Sequence, residues 1–149
     1  MTLTEKVQKD LIAAMKARDE LRLSVLRLCK TALHNRRVEK GGELDQAESL
    51  AVVKSLIKQR RQSVEEFQKV NRADRAAQEE KEITILESYL PAAVSEDELR
   101  AAIEAAVAET GTASPKEMGK VMKAVMGRLA RQNVDGKRVS ELVRARLAG

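Results

Sequence analysis

Aromatic residues are nearly missing: Phe67 and Tyr89 are the only ones in 149 residues, and there is no tryptophan. Sandwiches and barrels draw on aromatic and β-branched side chains to pack pleated surfaces, so this poverty disfavours them. A core must come from Leu, Ile, Val, Ala and Met, the mix that packed helices use. Cysteine is almost as scarce. Cys29 stands alone, which excludes an intrachain disulfide and a cysteine-type metal cluster and fits a reducing compartment. Long uncharged apolar runs are missing too, and the segment Met1 to Lys6 is already amphipathic. Neither a spanning helix nor a secretory signal is therefore expected, and the sequence reads as a soluble cytoplasmic chain with no membrane role.

What is present argues for a folded, all-α protein. Hydrophobic residues make up 43% and charged residues 34%, enough apolar surface to order the chain. Helix starts recur where oxygen side chains precede an acid by three residues: Thr2 with Glu5, Asp45 with Glu48, Ser95 with Glu98. In that spacing the side chain caps an orphan amide and the acid reaches back. Ser114-Pro115 is a further start, with proline where its missing amide costs nothing. Gly41-Gly42 and Gly111 are stops, and Asp135-Gly136 makes the last tight turn.

Between these marks apolar residues recur at helical spacing. Helices are expected at about 3–17, 20–38, 46–70 and 75–89, then at about 96–109, 115–131 and 136–147; the second carries Leu21, Val25, Leu28 and Ala32 on one apolar side, with Leu26 and Leu33 beside it. Leu90-Pro91 is the best boundary, because the residue before proline is pushed away from helical geometry. The expected architecture is an N-terminal bundle of about four helices, residues 1–90, followed by a small C-terminal three-helix tail domain, residues 91–149.

Few residues suggest catalysis. His34 and Cys29 lie about 140° apart around their helix, too far for a nucleophile pair to hydrogen-bond. His34-Asn35-Arg36-Arg37 and Gln59-Arg60-Arg61 are small candidate anion patches, each read more simply as a solvated face. Gly41-Gly42 lacks the lysine and hydroxyl spacing of a phosphate-binding loop. Glu79, Glu80, Glu82 and Glu87 alternate with Lys81 and read as a charged outer face, since a carboxylate catalyst or hard-metal cage needs oxygens from several elements. No catalytic residue, metal or cofactor is expected.

Charge is the stronger signal. Residues 1–112 hold 19 basic and 20 acidic residues, whereas residues 113–149 hold 9 basic and 3 acidic. Clustered cations raise the local concentration of anionic ligands. On a helical wheel Lys116, Lys120, Lys123 and Arg131 fall within an arc of about 80°, with Gly127 among them. Met118, Val121, Met122, Val125, Met126 and Leu129 take the opposite side. A basic rail on one continuous helix, about 22 Å long, would follow phosphates along a nucleic acid, and on charge alone it reads equally as the solvated face of a soluble helix. Lys137, Arg138 and Arg144 on the last helix would widen it. No aromatic residue follows Tyr89, so stacking on splayed bases is excluded and recognition would rest on backbone and shape, as suits a folded RNA. Gly119 and Gly127 are costly inside a helix, by about 1 kcal/mol each against alanine. They point to close approach, of a neighbouring helix or of a partner's backbone.

Leu86-Glu87-Ser88-Tyr89-Leu90-Pro91, Ser95-Glu96-Asp97-Glu98-Leu99, Lys116-Glu117-Met118-Gly119-Lys120-Val121-Met122 and the shorter Val25-Leu26-Arg27 together resemble the stand-alone YqeY-like family. That family is similar to the C-terminal helical and tail region of the GatB subunit of tRNA-dependent amidotransferase. The resemblance implies helices joined to a three-helix tail that touches the body of tRNA, as similar modules do on some glutaminyl-tRNA synthetases. It carries Lys116, Gly119, Lys120 and Lys123 over as RNA-contacting positions, with a departure at Lys123, where many relatives have glycine. It also implies a family label of carbon–nitrogen ligase with glutamine as amido-N-donor, although the catalytic portion of the amidotransferase has no counterpart here.

The leading expectation is a non-catalytic tRNA-binding module acting through Lys116, Gly119, Lys120, Lys123, Arg131, Lys137, Arg138 and Arg144. An aminoacyl-tRNA synthetase or an amidotransferase would be its enzyme partner. An accessory of glutamine-dependent amide transfer and a helical protein-interaction adaptor are the alternatives.

Overall fold

The computed structural model describes residues 1–111 and 114–149. The described residues are helical with no strand; an isolated bridge pairs Ala93 with Asn133. By contact density the chain divides into two compact units, Met1–Leu90 and Pro91–Gly149.

The first unit contains α1 (Leu3–Ala17), α2 (Glu20–Lys40), α3 (Gln46–Lys69) and α4 (Ala73–Glu87). Each boundary has a local cause. Thr2 Oγ1 accepts the Glu5 amide at α1, Asp19 accepts the Arg22 amide at α2, and at α3 both halves of a capping box form between Asp45 and Glu48. Gly41 ends α2 in the left-handed region at φ 78°, and the amides of Gly41 and Gly42 both close back onto the Arg37 carbonyl. That is the conformation glycine adopts without a Cβ penalty. Helix α4 begins two residues before its expected start and stops at Glu87. The Leu86 and Glu87 carbonyls then accept the amides of Tyr89 and Leu90, tightening the chain ahead of Pro91.

Helix α1 packs on α2 and α3 on α4, and the pairs meet chiefly through α2. Val7, Leu11, Val25, Leu26, Cys29, Leu33, Val53, Ile57 and Leu86 form the centre of the core. The α2 stripe departs from its expected membership: Leu28 is 51% exposed, while Cys29 is fully buried in its place. Tyr89 closes the bundle end. Its hydroxyl donates to Asp10 Oδ2 at 2.6 Å, and Lys6 Nζ sits 5.5 Å from its ring centroid. Burial first, then the bond to Asp10, pushes the Tyr89 phenol well above its ordinary range.

The second unit contains α5 (Glu96–Thr110), a 3-10 turn η1 (Pro115–Glu117), α6 (Met118–Arg128) and α7 (Gly136–Ala148). Its core joins Leu99, Ile103 and Ala106 of α5, Val121 and Val125 of α6, and Val139, Val143 and Leu147 of α7. Ser95 and Asp135 cap α5 and α7 through side-chain oxygens. The loop before α7 ties down the start of the unit: the Asn133 carbonyl accepts the Val94 amide at 2.9 Å and its side-chain amide donates to the Pro91 carbonyl at 3.0 Å.

Candidate nucleic-acid interface

The expected continuous helix from Pro115 to Arg131 is broken at both ends. Ser114 Oγ accepts the Lys116 amide, and Pro115–Glu117 forms a tight 3-10 turn before α6 starts at Met118. At the other end α6 stops at Arg128, because Leu129 and Val134 are both buried and the chain must turn between them. Lys116 therefore stands on the turn, Lys120 and Lys123 on α6, and Arg131 on the loop beyond it. Eleven residues of α6 rise about 16 Å rather than about 22 Å.

The outward face of α6 is nonetheless coherent. Gly119, Lys120, Lys123 and Gly127 are all exposed, as are Lys116 and Arg131 on either side. Met126 lies at the edge of this face at 38% exposure, not in the core stripe where the wheel puts it. A Cβ built at Gly119 or Gly127 meets no atom within 4 Å. No neighbouring helix of this chain uses either glycine for close packing. The two residues leave an open, low-relief strip between lysines.

The cations of this unit fall into two groups. Arg138 donates from Nε to Glu96 Oε1 at 2.6 Å and from a terminal nitrogen to Glu141 at 3.1 Å. Arg128 holds Glu109 at 2.9 Å, and Arg146 is bound to Glu104. Arg138 holds the Glu96 carboxyl below its usual range, followed by a smaller contribution from Arg100. These arginines fasten α6 and α7 to α5. In contrast, Lys116, Lys120, Lys123, Arg131, Lys137 and Arg144 make no side-chain ion pair among the described residues, and all are exposed. Lys137 and Arg144, seven residues apart, share a stripe of α7, and η1 packs against that helix. Sequence spacing cannot separate the two groups, since the separating acids lie on α5, some 20 to 40 residues away in the chain.

The smaller patches in the first unit do not form. Arg36 pairs with Glu39 and Glu48, and Arg37 with Glu43. Arg60 is largely buried, its Nε 3.7 Å from Glu82 and without a hydrogen-bond partner, while Arg61 pairs with Glu87. Glu82 thus faces α3 instead of lying on an outer surface. Burial, then the neighbouring Glu79, raises its carboxyl above the ordinary range against the pull of Arg60. Burial also pushes the Cys29 thiol up to about 11, so it stays protonated at neutral pH. No cluster of metal-ligating side chains occurs among the described residues, and no described helix is long and apolar enough to cross a membrane.

Comparison with known proteins adds what geometry cannot. The family model described as Yqey-like protein matches residues 4–147. The protein named "Altered inheritance of mitochondria protein 41, mitochondrial" from Lachancea thermotolerans is 36% identical over 113 residues, covering 73% of this chain and 60% of that protein. Its namesake from Kluyveromyces lactis is 37% identical over 95 residues, covering 61% and 51%. The namesake from Vanderwaltozyma polyspora is 32% identical over 85 residues, covering 56% and 46%. The chain thus spans about half the length of the curated relatives it matches. These names overturn the cytoplasmic expectation, because each relative is designated mitochondrial. The reducing-compartment argument from a lone cysteine does not distinguish one such compartment from another. With a match running over nearly its full length, the chain belongs to the YqeY-like family.

Proposed function

We propose that the chain is a non-catalytic tRNA-binding module whose grip lies on Lys116, Lys120, Lys123, Arg131, Lys137 and Arg144. Arg138 is not a contact residue in this reading; it orients α7 by holding Glu96. The observation that carries the proposal is the partition of charge: six exposed cations without an acidic partner among the described residues, four of them on or beside the helix that carries Gly119 and Gly127, where an added side chain would meet no atom within 4 Å. Phosphate contacts position a protein on a nucleic acid, and glycine lets a backbone approach closely. The family to which the chain belongs, and its similarity to the amidotransferase tail, support RNA as the polyanion. In this reading Met1–Leu90 is a four-helix bundle and Pro91–Gly149 a three-helix tail domain that presents the grip. A tRNA-dependent enzyme, synthetase or amidotransferase, supplies the chemistry.

The test is a titration of total tRNA onto the full chain at two salt concentrations, with duplex DNA as competitor. Saturable binding that prefers tRNA and weakens steeply with salt is the expected result. Absence of binding at low salt would overturn the proposal and leave the lysines as a solvated face.

A further inference from the structure

A second group of unpartnered donors lies on α2 of the first unit. Arg27, Lys30, Thr31 and His34 fall within an arc of about 100° of that helix, and together with Leu11 of α1 they line one depression of about 460 Å³. All four side chains are exposed, and none makes a side-chain hydrogen bond or ion pair among the described residues. Leu11 is buried beneath them. His34 thus groups with Arg27 and not with its neighbour Arg36, which lies about 160° around the helix and is held by Glu39 and Glu48. The donors are of four kinds, guanidinium, ammonium, hydroxyl and imidazole, and no carboxylate lines the depression.

The row of free donors is bounded at both ends. Glu20, two turns before Arg27 on the same side of α2, lines an adjoining depression and opposes an anion there. Beyond His34 that side of the helix continues to Val38, which is 65% exposed, while Arg37 and Lys40 are already held by Glu43 and Glu48. From Arg27 to His34 the helix rises about 10 Å.

We infer that this face of α2 binds a small molecule carrying two or three linked phosphoryl groups. A set of donors with no carboxylate among them selects an anion, and guanidinium with ammonium matches phosphoryl oxygens. Length narrows the choice, because a single phosphate would engage only part of the row. A nucleic-acid strand draws its affinity from contacts repeated along it, and Glu20 and Val38 end the row after two turns. The depression also has a volume in the range of small-molecule sites, unlike the open strip on α6. The inference uses residues of the other unit and stands apart from the RNA grip.

The test is an amide chemical-shift titration of the isotope-labelled full chain with inorganic phosphate, pyrophosphate and tripolyphosphate at matched ionic strength. Saturable shifts should centre on residues 27–34 and Leu11, with affinity rising in that order, and should saturate before any shift at Lys120 or Lys123. Arg27→Ala with Lys30→Ala should weaken tripolyphosphate binding by about tenfold or more, because two charge-assisted contacts are lost. Thr31→Val, which keeps the shape and removes the hydroxyl, should weaken it several-fold. Neither variant alters a buried side chain, and an unchanged spectrum elsewhere would verify the fold. Lys120→Ala with Lys123→Ala should leave this binding intact while lowering affinity for tRNA, which separates failure here from failure of the RNA reading. Equal affinity for all three anions would overturn the inference as mere charge screening. So would shifts spread evenly over the exposed cations, no shift at millimolar concentration, or a response of this face to tRNA alone.

Discussion

Replacing Lys120 and Lys123 together with alanine is the sharpest test of the RNA grip, because structure fixes what the change can and cannot do. Both side chains are exposed on α6, and neither makes an ion pair among the described residues. Folding stability should therefore hold, with alanine a slightly better helix former than lysine. Each phosphate neutralised releases counterions, so that log K falls with log salt by about 0.7 to 0.9 per contact. With six unpartnered cations engaged, the wild-type slope should be about −4 to −5, and the double variant should retain about −3. A fourfold rise in salt would then weaken the wild type about 500-fold and the variant about 60-fold. Filter binding or fluorescence anisotropy over a salt series reads both slopes. Arg138→Ala is the internal control: its guanidinium is committed to Glu96 and Glu141, so the slope should stay while thermal stability drops. If the lysine double variant keeps the wild-type slope, or Arg138→Ala loses as much of it, the partition of cations is wrong.

Gly127→Ala should stabilise the chain by about 0.5 to 1 kcal/mol, since a Cβ there meets nothing and alanine favours helix. The same change should weaken tRNA binding by crowding the approaching backbone, and thermal melts beside the salt titration would show the two effects opposed. Tyr89→Phe should cost about 1 to 2 kcal/mol by removing the hydroxyl from a part-buried Asp10, seen as a lower midpoint in urea. Glu79→Gln should raise stability at neutral pH. In the wild type, the raised Glu82 carboxyl means the folded state holds its proton longer than the unfolded state. The contribution of Glu82 to stability is then greatest in acid and is lost as pH rises through the folded pKa, a loss the variant should reduce in melts taken across the carboxylate range.

Helix positions were legible where local chemistry decides them. Thr2, Asp45, Ser95 and the glycines at 41 and 111 mark boundaries because caps and left-handed stops are short-range events, and the bounds of α1 follow directly. The α2 face was misread because Leu28 and Cys29 are neighbours whose burial depends on where α3 and α4 sit. Helical spacing offers both stripes and cannot rank them. Arg60 and Glu82 were assigned to solvent for a similar reason. Charged residues are presumed exposed until a partner on another element pairs with them, and their partner lies 22 residues away. The break of α6 at Arg128 also belongs to tertiary structure, because Val134 and the Asn133 clasp onto Pro91 and Val94 turn the chain there.

Charge was the signal most easily over-read. The C-terminal stretch from residue 113 holds 9 basic and 3 acidic residues, yet the compact unit to which it belongs begins at Pro91 and holds 10 basic and 8 acidic residues. Most of the apparent excess vanishes once α5 is counted with the helices it packs against. What survives is spatial: Glu96, Glu104 and Glu109 take Arg138, Arg146 and Arg128 out of circulation. The acids thereby do two things at once. They fasten the three helices through arginine, whose planar fork suits carboxylates, and they leave the lysines of η1 and α6 as mobile point charges facing outward. A polyanion competing for the fastened arginines would have to break interhelical pairs, whereas one engaging the lysines breaks nothing. The number of unpartnered cations, not the net charge, should therefore set both the salt slope and the face on which a nucleic acid settles.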